Sequence, residues 1–354
     1  MSSHYEERME ADLAEIRRKL KTVSDLVEEQ VHNAVTALLT VDRKLAARVV
    51  LGDRQVNRRI HQIDHLCHAF IVRHAPSAGH LRFASGVLRF DVALERIGDY
   101  ADSIGRQVAR LSGPPPGAVG RDIELIGQQA RVTLAQALEA FHAGDAEAAQ
   151  RASGMADQLD FTFETVMAEL LRAAEKEKGP LPDIFGLLRI VNLLKRVAEQ
   201  SENISEQTIF VETGEEPDPR VHRILFVDEK NDAASQIAEA YARKAFPGSG
   251  RYESAGWAPN EALDAGLVEY MDGRGVDVSA AAPSELTSLT DRAEHYHVVV
   301  VVGTGQTDKL GHVPYRTTVV EWDVDTSGDL DSVYKEVVVL VQDLMMTLAG
   351  PDAR

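Results

Sequence analysis

Glu95, Asp99 and Asp102 stand at i, i+4 and i+7 of the segment LERIGDYADSI, residues 94–104, so a helix there carries three carboxylates on one face. Carboxylates gathered this way repel one another. Their charge is met either by a hard cation taking oxygen ligands or by nearby guanidinium groups such as Arg96 and Arg106. Asp53 and Asn57, one turn apart in the preceding helical stretch, offer further oxygens to the same ligand set. The segment LKRVAEQSENI, residues 194–204, aligns with 94–104 without a gap and keeps acids at Glu199 and Glu202. Lys195 stands where the first copy has Glu95, and its ammonium can itself neutralise that cluster; Asp160 and Glu164 are the further candidates for a second ligand set. The other reading of both clusters is a solvated or salt-bridged helix face.

A second stretch carries different chemistry. In RILFVDEKNDAASQIAEAYARK, residues 223–244, an apolar strand runs into a polar turn and then an alanine-rich helix, the arrangement that usually cradles a phosphate. Asp228 heads this turn, followed by Asn231, Ala234 and Ser235. A carboxylate at 228 and a second at Glu229 repel an incoming phosphate by about 1 kcal/mol per charge pair at 4 Å in water, and by more in a drier pocket. The only cysteine, Cys67, lies in the other half of the chain, so no shift of alignment supplies a thiol here. His61, His65 and His68 also share a helical face and suit a softer ion. Because Ile60, Ile63, Cys67 and Phe70 make the buried stripe of that helix, the histidines are expected beside it in water.

The elements that position these groups follow from periodicity. Leu13, Ile16, Leu20, Val23, Val27, Val31, Ala34 and Leu38 recur at steps of three or four, and the pattern continues over about 42–74 and 80–112. After the Gly113–Gly117 breaker, three more helices are expected at about 118–142, 145–177 and 183–212. The alignment of 94–104 with 194–204, and of Asp42 onward with Asp145 onward, marks a duplication. Past residue 213 the pattern alternates: strands at 223–227, 297–302 and 318–322, helices at 235–246 and 330–349. The expected fold is multidomain: all-α tandem three-helix bundles over 8–112 and 118–212, a linker at 213–220, and an α/β domain with a parallel sheet over 221–349.

With 56 acidic against 38 basic residues, the chain carries a formal charge of -18, which argues against nucleic acid or an anionic membrane face as general partner. One cysteine fits a reducing compartment. The first twenty residues are too charged for a signal peptide, and the apolar run Val298 to Val302 is too short to span a bilayer. A cytoplasmic protein without membrane insertion is expected.

LERIGDYADSI, the duplicated helical triplet, Val56-Asn57 followed by Ile63-Asp64, and Ala75-Pro76 followed by Leu81-Arg82 resemble the PhoU family of phosphate-signalling regulators over about residues 8–212. The resemblance implies divalent or iron-type metal ions on the acidic helix faces. It also implies a phosphate transporter and/or a sensor histidine kinase as partner. A homo-oligomer is expected. The second half resembles low-molecular-weight tyrosine phosphatases and arsenate reductases over about 221–349. The matching residues are the ILFV strand, Asn231, Ser235 to Ala240, Ser254-Ala255-Gly256, Gly275-Val276-Asp277 and Val320 to Asp323. In that family a cysteine opens the phosphate loop and an arginine follows six residues on. Asp228 takes the first place and Ala234 the second, removing the nucleophilic thiolate and the guanidinium fork. The late acid loop is degraded as well, since Asp323, Val324, Asp325 and Thr326 lack a proline.

Two other families phosphorylate aspartate. Haloacid-dehalogenase-like enzymes want a second Asp where this chain has Lys230. A receiver domain wants one at the end of Val298–Val302, where Gly303-Thr304-Gly305 follows. The expectation is a regulator of phosphate uptake and phosphate-responsive signalling with a non-catalytic α/β domain. The alternative is an active tyrosine phosphatase or arsenate reductase fused to a PhoU-like module.

Overall fold

The computed structural model describes residues 4–115, 117–175, 180–215, 221–286, 296–311, 313–314, 317–326, 328–350 and 353. The chain divides into two compact units, Met1–Pro217 and Asp218–Arg354.

Among the described residues, six long helices build the first unit: α1 (His4–Thr40), α2 (Arg43–His74), α3 (Ala78–Val108), α4 (Gly117–Ala143), α5 (Ala146–Glu175) and α6 (Leu181–Thr213). Their ends follow from local chemistry. Asp42 caps α2, its carboxylate accepting the amides of Lys44 at 2.9 Å and Leu45 at 3.0 Å. Ala75 closes the same helix in the left-handed region at φ 41°, just before Pro76, and Gly214 closes α6 at φ 79°. The stripe read from sequence on α1 is buried in full, from Leu13 to Leu38.

The two helical triplets share one continuous core reaching from Leu13 to Ile204. Glycines permit close helix crossings. A Cβ at Gly86 of α3 would lie 2.2 Å from Val211 Cγ2 of α6, and one at Gly105 would lie 2.9 Å from the Ala46 carbonyl oxygen of α2. The α3–α6 crossing joins the third helix of one triplet to the third of the other, so the duplicated halves pack as one body. Among the described residues no helix is long and apolar enough to cross a membrane.

The second unit is an α/β layer structure: β1 (His222–Asp228), α7 (Ala234–Ala245), β2 (Gly250–Gly256), α8 (Leu267–Asp272), β3 (Val298–Val302), β4 (Thr318–Trp322) and α9 (Leu330–Ala349). The strands form a parallel sheet in the order β2-β1-β3-β4, with Ile224 opposite Tyr252 and Val298, and Val300 opposite Val320. Parallel sheets are covered on both faces, and β1 and β3 read accordingly as near-continuous apolar runs. Ile224, Phe226, Val298 and Val300 point into one core with α7 and α9, while Leu225, Val227, Val299 and Val301 fill the other. Sequence periodicity does not disclose β2 or α8. GRYESAG mixes glycine with exposed Arg251 and Glu253, and LVEYMD spans too few residues to show a helical period.

Candidate functional site

Asp53 of α2 and the acids of α3 are brought together across one helix pair. Burial pushes the Asp53 carboxyl above its ordinary range, and the charges of Asp99, Asp102 and Glu95 push it the same way against the pull of Arg106. Asp99 is raised by burial and by Asp102. Some charge is met inside the chain: Arg106 Nε donates to Asp102 Oδ2 at 2.7 Å, and Asn57 Nδ2 donates to Asp53 Oδ2 at 3.0 Å. The other oxygens of these groups, Asp53 Oδ1, Asn57 Oδ1 and Asp102 Oδ1, are buried without a hydrogen-bond partner.

Gln30 of α1 adds a fourth such oxygen, Oε1, on a side chain that sequence reading passes over because it interrupts a buried apolar stripe. A Cβ at Gly98 would lie 3.4 Å from Asp53 Oδ1 and 3.7 Å from Gln30 Oε1. The missing side chain therefore leaves room beside two unpaired oxygens. An all-oxygen, net-negative donor set of this kind suits a hard divalent cation. The fit is one of donor chemistry and burial, since among the described residues no three or more His, Cys, Asp or Glu side chains are gathered into a metal-holding group.

The equivalent face on α6 is built differently. Lys195 is buried, its Nζ standing 3.6 Å from Glu199 Oε1 and 4.7 Å from the centre of the Phe163 ring. Glu164 and Glu202 are half-buried and engaged. The side chain of Asp160, the remaining acid expected there, lies outside the described residues. His61, His65 and His68 are exposed on the outer side of α2, beside buried Ile60, Ile63 and Cys67. Asp91, one turn before Glu95 on α3, has both carboxylate oxygens buried and unpartnered. Burial, with Asp64 and Glu95 adding to it, pushes this carboxyl up to about 8. Sequence reading missed it because it lies on the core-facing side of an otherwise legible helix.

In the second unit, Asp228 ends β1 at the carboxyl edge of the sheet, beside the point where the strand order reverses between β1 and β3. Its Oδ1 accepts the backbone N–H of Asn231 at 2.5 Å and its Oδ2 that of Ser235 at 2.9 Å. Ser235 lies in the first turn of α7, where free amides make an anion site. Burial pushes the Asp228 carboxyl above its ordinary range, with the charge of Asp232 adding to the rise, against the pull of the hydrogen bonds from Ser235 and the Asn231 amide. Asn231 sits fully buried in the left-handed region at φ 49°. Its Nδ2 donates to Ser235 Oγ at 2.9 Å, and its Oδ1 accepts from Gln236 Nε2 at 3.1 Å and the Ser284 amide at 2.8 Å.

The turn is thus a closed polar network around the chain's own carboxylate, and Ala234 contributes no hydrogen-bonding side chain to it. Farther along the same edge, Asp323 takes the Thr304 hydroxyl, and Glu321 accepts the Gly305 amide at 2.6 Å and the Thr307 hydroxyl. Sequence alone does not single out Gln236 or Ser284 as site residues. The first is one of several polar positions in an alanine-rich helix, and the second joins through its backbone.

The PhoU domain model matches residues 20–108 and again 123–208. A phosphate-specific transport system accessory protein PhoU homolog from Pseudomonas putida is 31% identical over 217 residues, which is 60% of this chain and 84% of that protein. The chain belongs to the PhoU family. The crystal structure of PhoU from Pseudomonas aeruginosa matches with a TM-score of 0.56 at 29% identity, covering 58% of this chain and 99% of that one. The acidic faces on α3 and α6 both lie inside the matched PhoU residues, whereas the Asp228 turn lies beyond them. A thioredoxin-dependent arsenate reductase of Corynebacterium glutamicum is 24% identical, covering 36% of this chain and 62% of that chain, with a TM-score of 0.33.

Proposed function

We propose that this PhoU-family protein is a cytoplasmic regulator of phosphate uptake and phosphate-responsive signalling. It works by binding a phosphate transporter or a sensor histidine kinase, and its α/β unit docks without turning over a substrate. The regulatory half draws support from relatives named as accessory proteins of a phosphate-specific transport system. The observation that carries the non-catalytic half is the Asp228 carboxylate seated on the amides of Asn231 and Ser235. A loop amide donates its proton once, and these two are already committed to a tethered carboxyl group. The neighbouring acids Glu229 and Asp232 add repulsion toward phosphate. The oxygen-lined face of Asp53, Asn57, Asp99 and Asp102 takes a hard divalent cation, which offsets the mutual repulsion of its carboxylates and orders α2 against α3.

The test uses the full chain. Incubated with p-nitrophenyl phosphate, or with arsenate and a thiol reductant, it gives no turnover above buffer. Tagged and passed over solubilised membranes of its host, it retains the phosphate transporter or a sensor kinase. Hydrolysis that disappears in Asp228→Ala would overturn the non-catalytic reading, and retention of neither partner would overturn the regulatory one.

A further inference from the structure

Positions 95 and 195 are equivalent in the duplication, yet one is an acid and the other a base. On the α2–α3 pair that carries Glu95 the chain leaves buried oxygens unpaired, Asp53 Oδ1, Asn57 Oδ1 and Asp102 Oδ1, and Gln30 Oε1 of α1 joins Asp53 Oδ1 beside Gly98. Around Lys195 the ammonium stands 3.6 Å from Glu199 Oε1, its side chain only 7% exposed, with the Phe163 ring on another side at 4.7 Å. A buried ammonium is expensive unless its charge is met, and a carboxylate together with an aromatic face meets it.

We propose that Lys195 is the resident cation of the α6 face, a tethered ammonium that excludes divalent ions from the second helical triplet and leaves cation binding to the α3 face alone. The duplicated chain thereby answers one electrostatic demand in two ways. Exchange of the residue at 195 decides whether the second face needs an ion from solution. The assignment of cation binding to the α3 face rests on the functional reading above, whereas the role of Lys195 does not.

Mn2+ alone serves as the probe, with bound metal measured after dialysis and thermal unfolding followed with and without it. The Lys195→Glu chain is expected to hold about one more equivalent of Mn2+ than the unmodified chain, since a third carboxylate then joins Glu199 and Glu202. Its Tm should rise with Mn2+ by more than that of the unmodified chain. Lys195→Gln, which removes the ammonium without adding an acid, should lower Tm, and Mn2+ should raise the variant's Tm by more than it raises that of the unmodified chain. Equal metal content in the unmodified and Lys195→Glu chains overturns the proposal, and so does a Lys195→Gln Tm that Mn2+ raises by no more than it raises that of the unmodified chain. An unmodified chain that holds no Mn2+ while Lys195→Glu gains it upholds Lys195 and removes the cation from the α3 face.

Discussion

The Asp228 carboxylate lies 2.5 Å from the backbone nitrogen of Asn231, a residue with no exposed surface held at φ 49°. Left-handed backbone at a non-glycine residue is strained, and the bonds that Asn231 makes with Asp228, Ser235, Gln236 and Ser284 hold it there. Removing the carboxylate in Asp228→Ala strands two buried amides, each at about 1–3 kcal/mol. The expected result in urea unfolding is a lower midpoint for the α/β unit with the helical unit unchanged. Asp228→Cys puts a thiol in the same place but leaves a methyl at Ala234. It should show no hydrolysis of p-nitrophenyl phosphate, a reaction that needs a donor fork on the phosphoryl oxygens.

The helices were legible because their burial stripes repeat over many turns, and each of the six expected segments is present within a few residues of its reading. The parallel sheet was legible through Val298–Val302 and ILFV, whose unbroken apolar runs suit strands covered on both sides. Gly250–Gly256 was not, because an edge strand needs little apolar surface and reads like a loop. At the acidic face, helical spacing brought out Glu95, Asp99 and Asp102. It could not bring out Gln30, whose relevance comes from a neighbouring helix crossing near Gly98. In the Asp228 turn the residue types announced a missing nucleophile, while only three-dimensional placement showed the carboxylate seated on the loop amides.

Gly98→Ala separates helix propensity from ion binding. The added methyl makes ordinary contacts, 3.4 Å to Asp53 Oδ1 and 3.6 Å to Val56 Cγ1, so the fold accommodates it. Alanine in a helix interior gains up to about 1 kcal/mol over glycine. It also fills the space beside two unpaired oxygens. Without metal the variant should be as stable as the unmodified chain or slightly more so, and the Tm gain on adding Mn2+ should shrink. A full Mn2+ response in the variant would place the ion elsewhere.

Gly105→Ala should behave in the opposite sense. Its Cβ would approach the Ala46 carbonyl oxygen to 2.9 Å and Val50 Cγ2 to 3.1 Å. The first of these belongs to the backbone of α2 and cannot turn aside. Overpacking of this kind costs about 1–3 kcal/mol, more than the helix-propensity gain returns. Chemical denaturation of the helical unit should register a net loss, and Gly105→Ser should lose at least as much.

Asp91 gives the chain a stability that depends on pH through one buried carboxyl. Its two oxygens have no partner, its residue is 1% exposed, and burial first, then Asp64 and Glu95, pushes it from 3.8 to about 8. Between those values the folded state keeps a proton that the unfolded state releases. Raising the pH therefore favours unfolding, by about 1.4 kcal/mol per pH unit for one proton. Below the ordinary carboxylate range both states are protonated and the contribution vanishes; above about 8 both are ionised and the slope from this group ends. Asp91→Asn removes the titration while keeping shape. Measured by urea unfolding from pH 5 to 7.5, the variant should lose that downward slope and gain stability over the unmodified chain as pH rises. Parallel curves for the two chains would mean that Asp91 is ionised and paired in the folded protein.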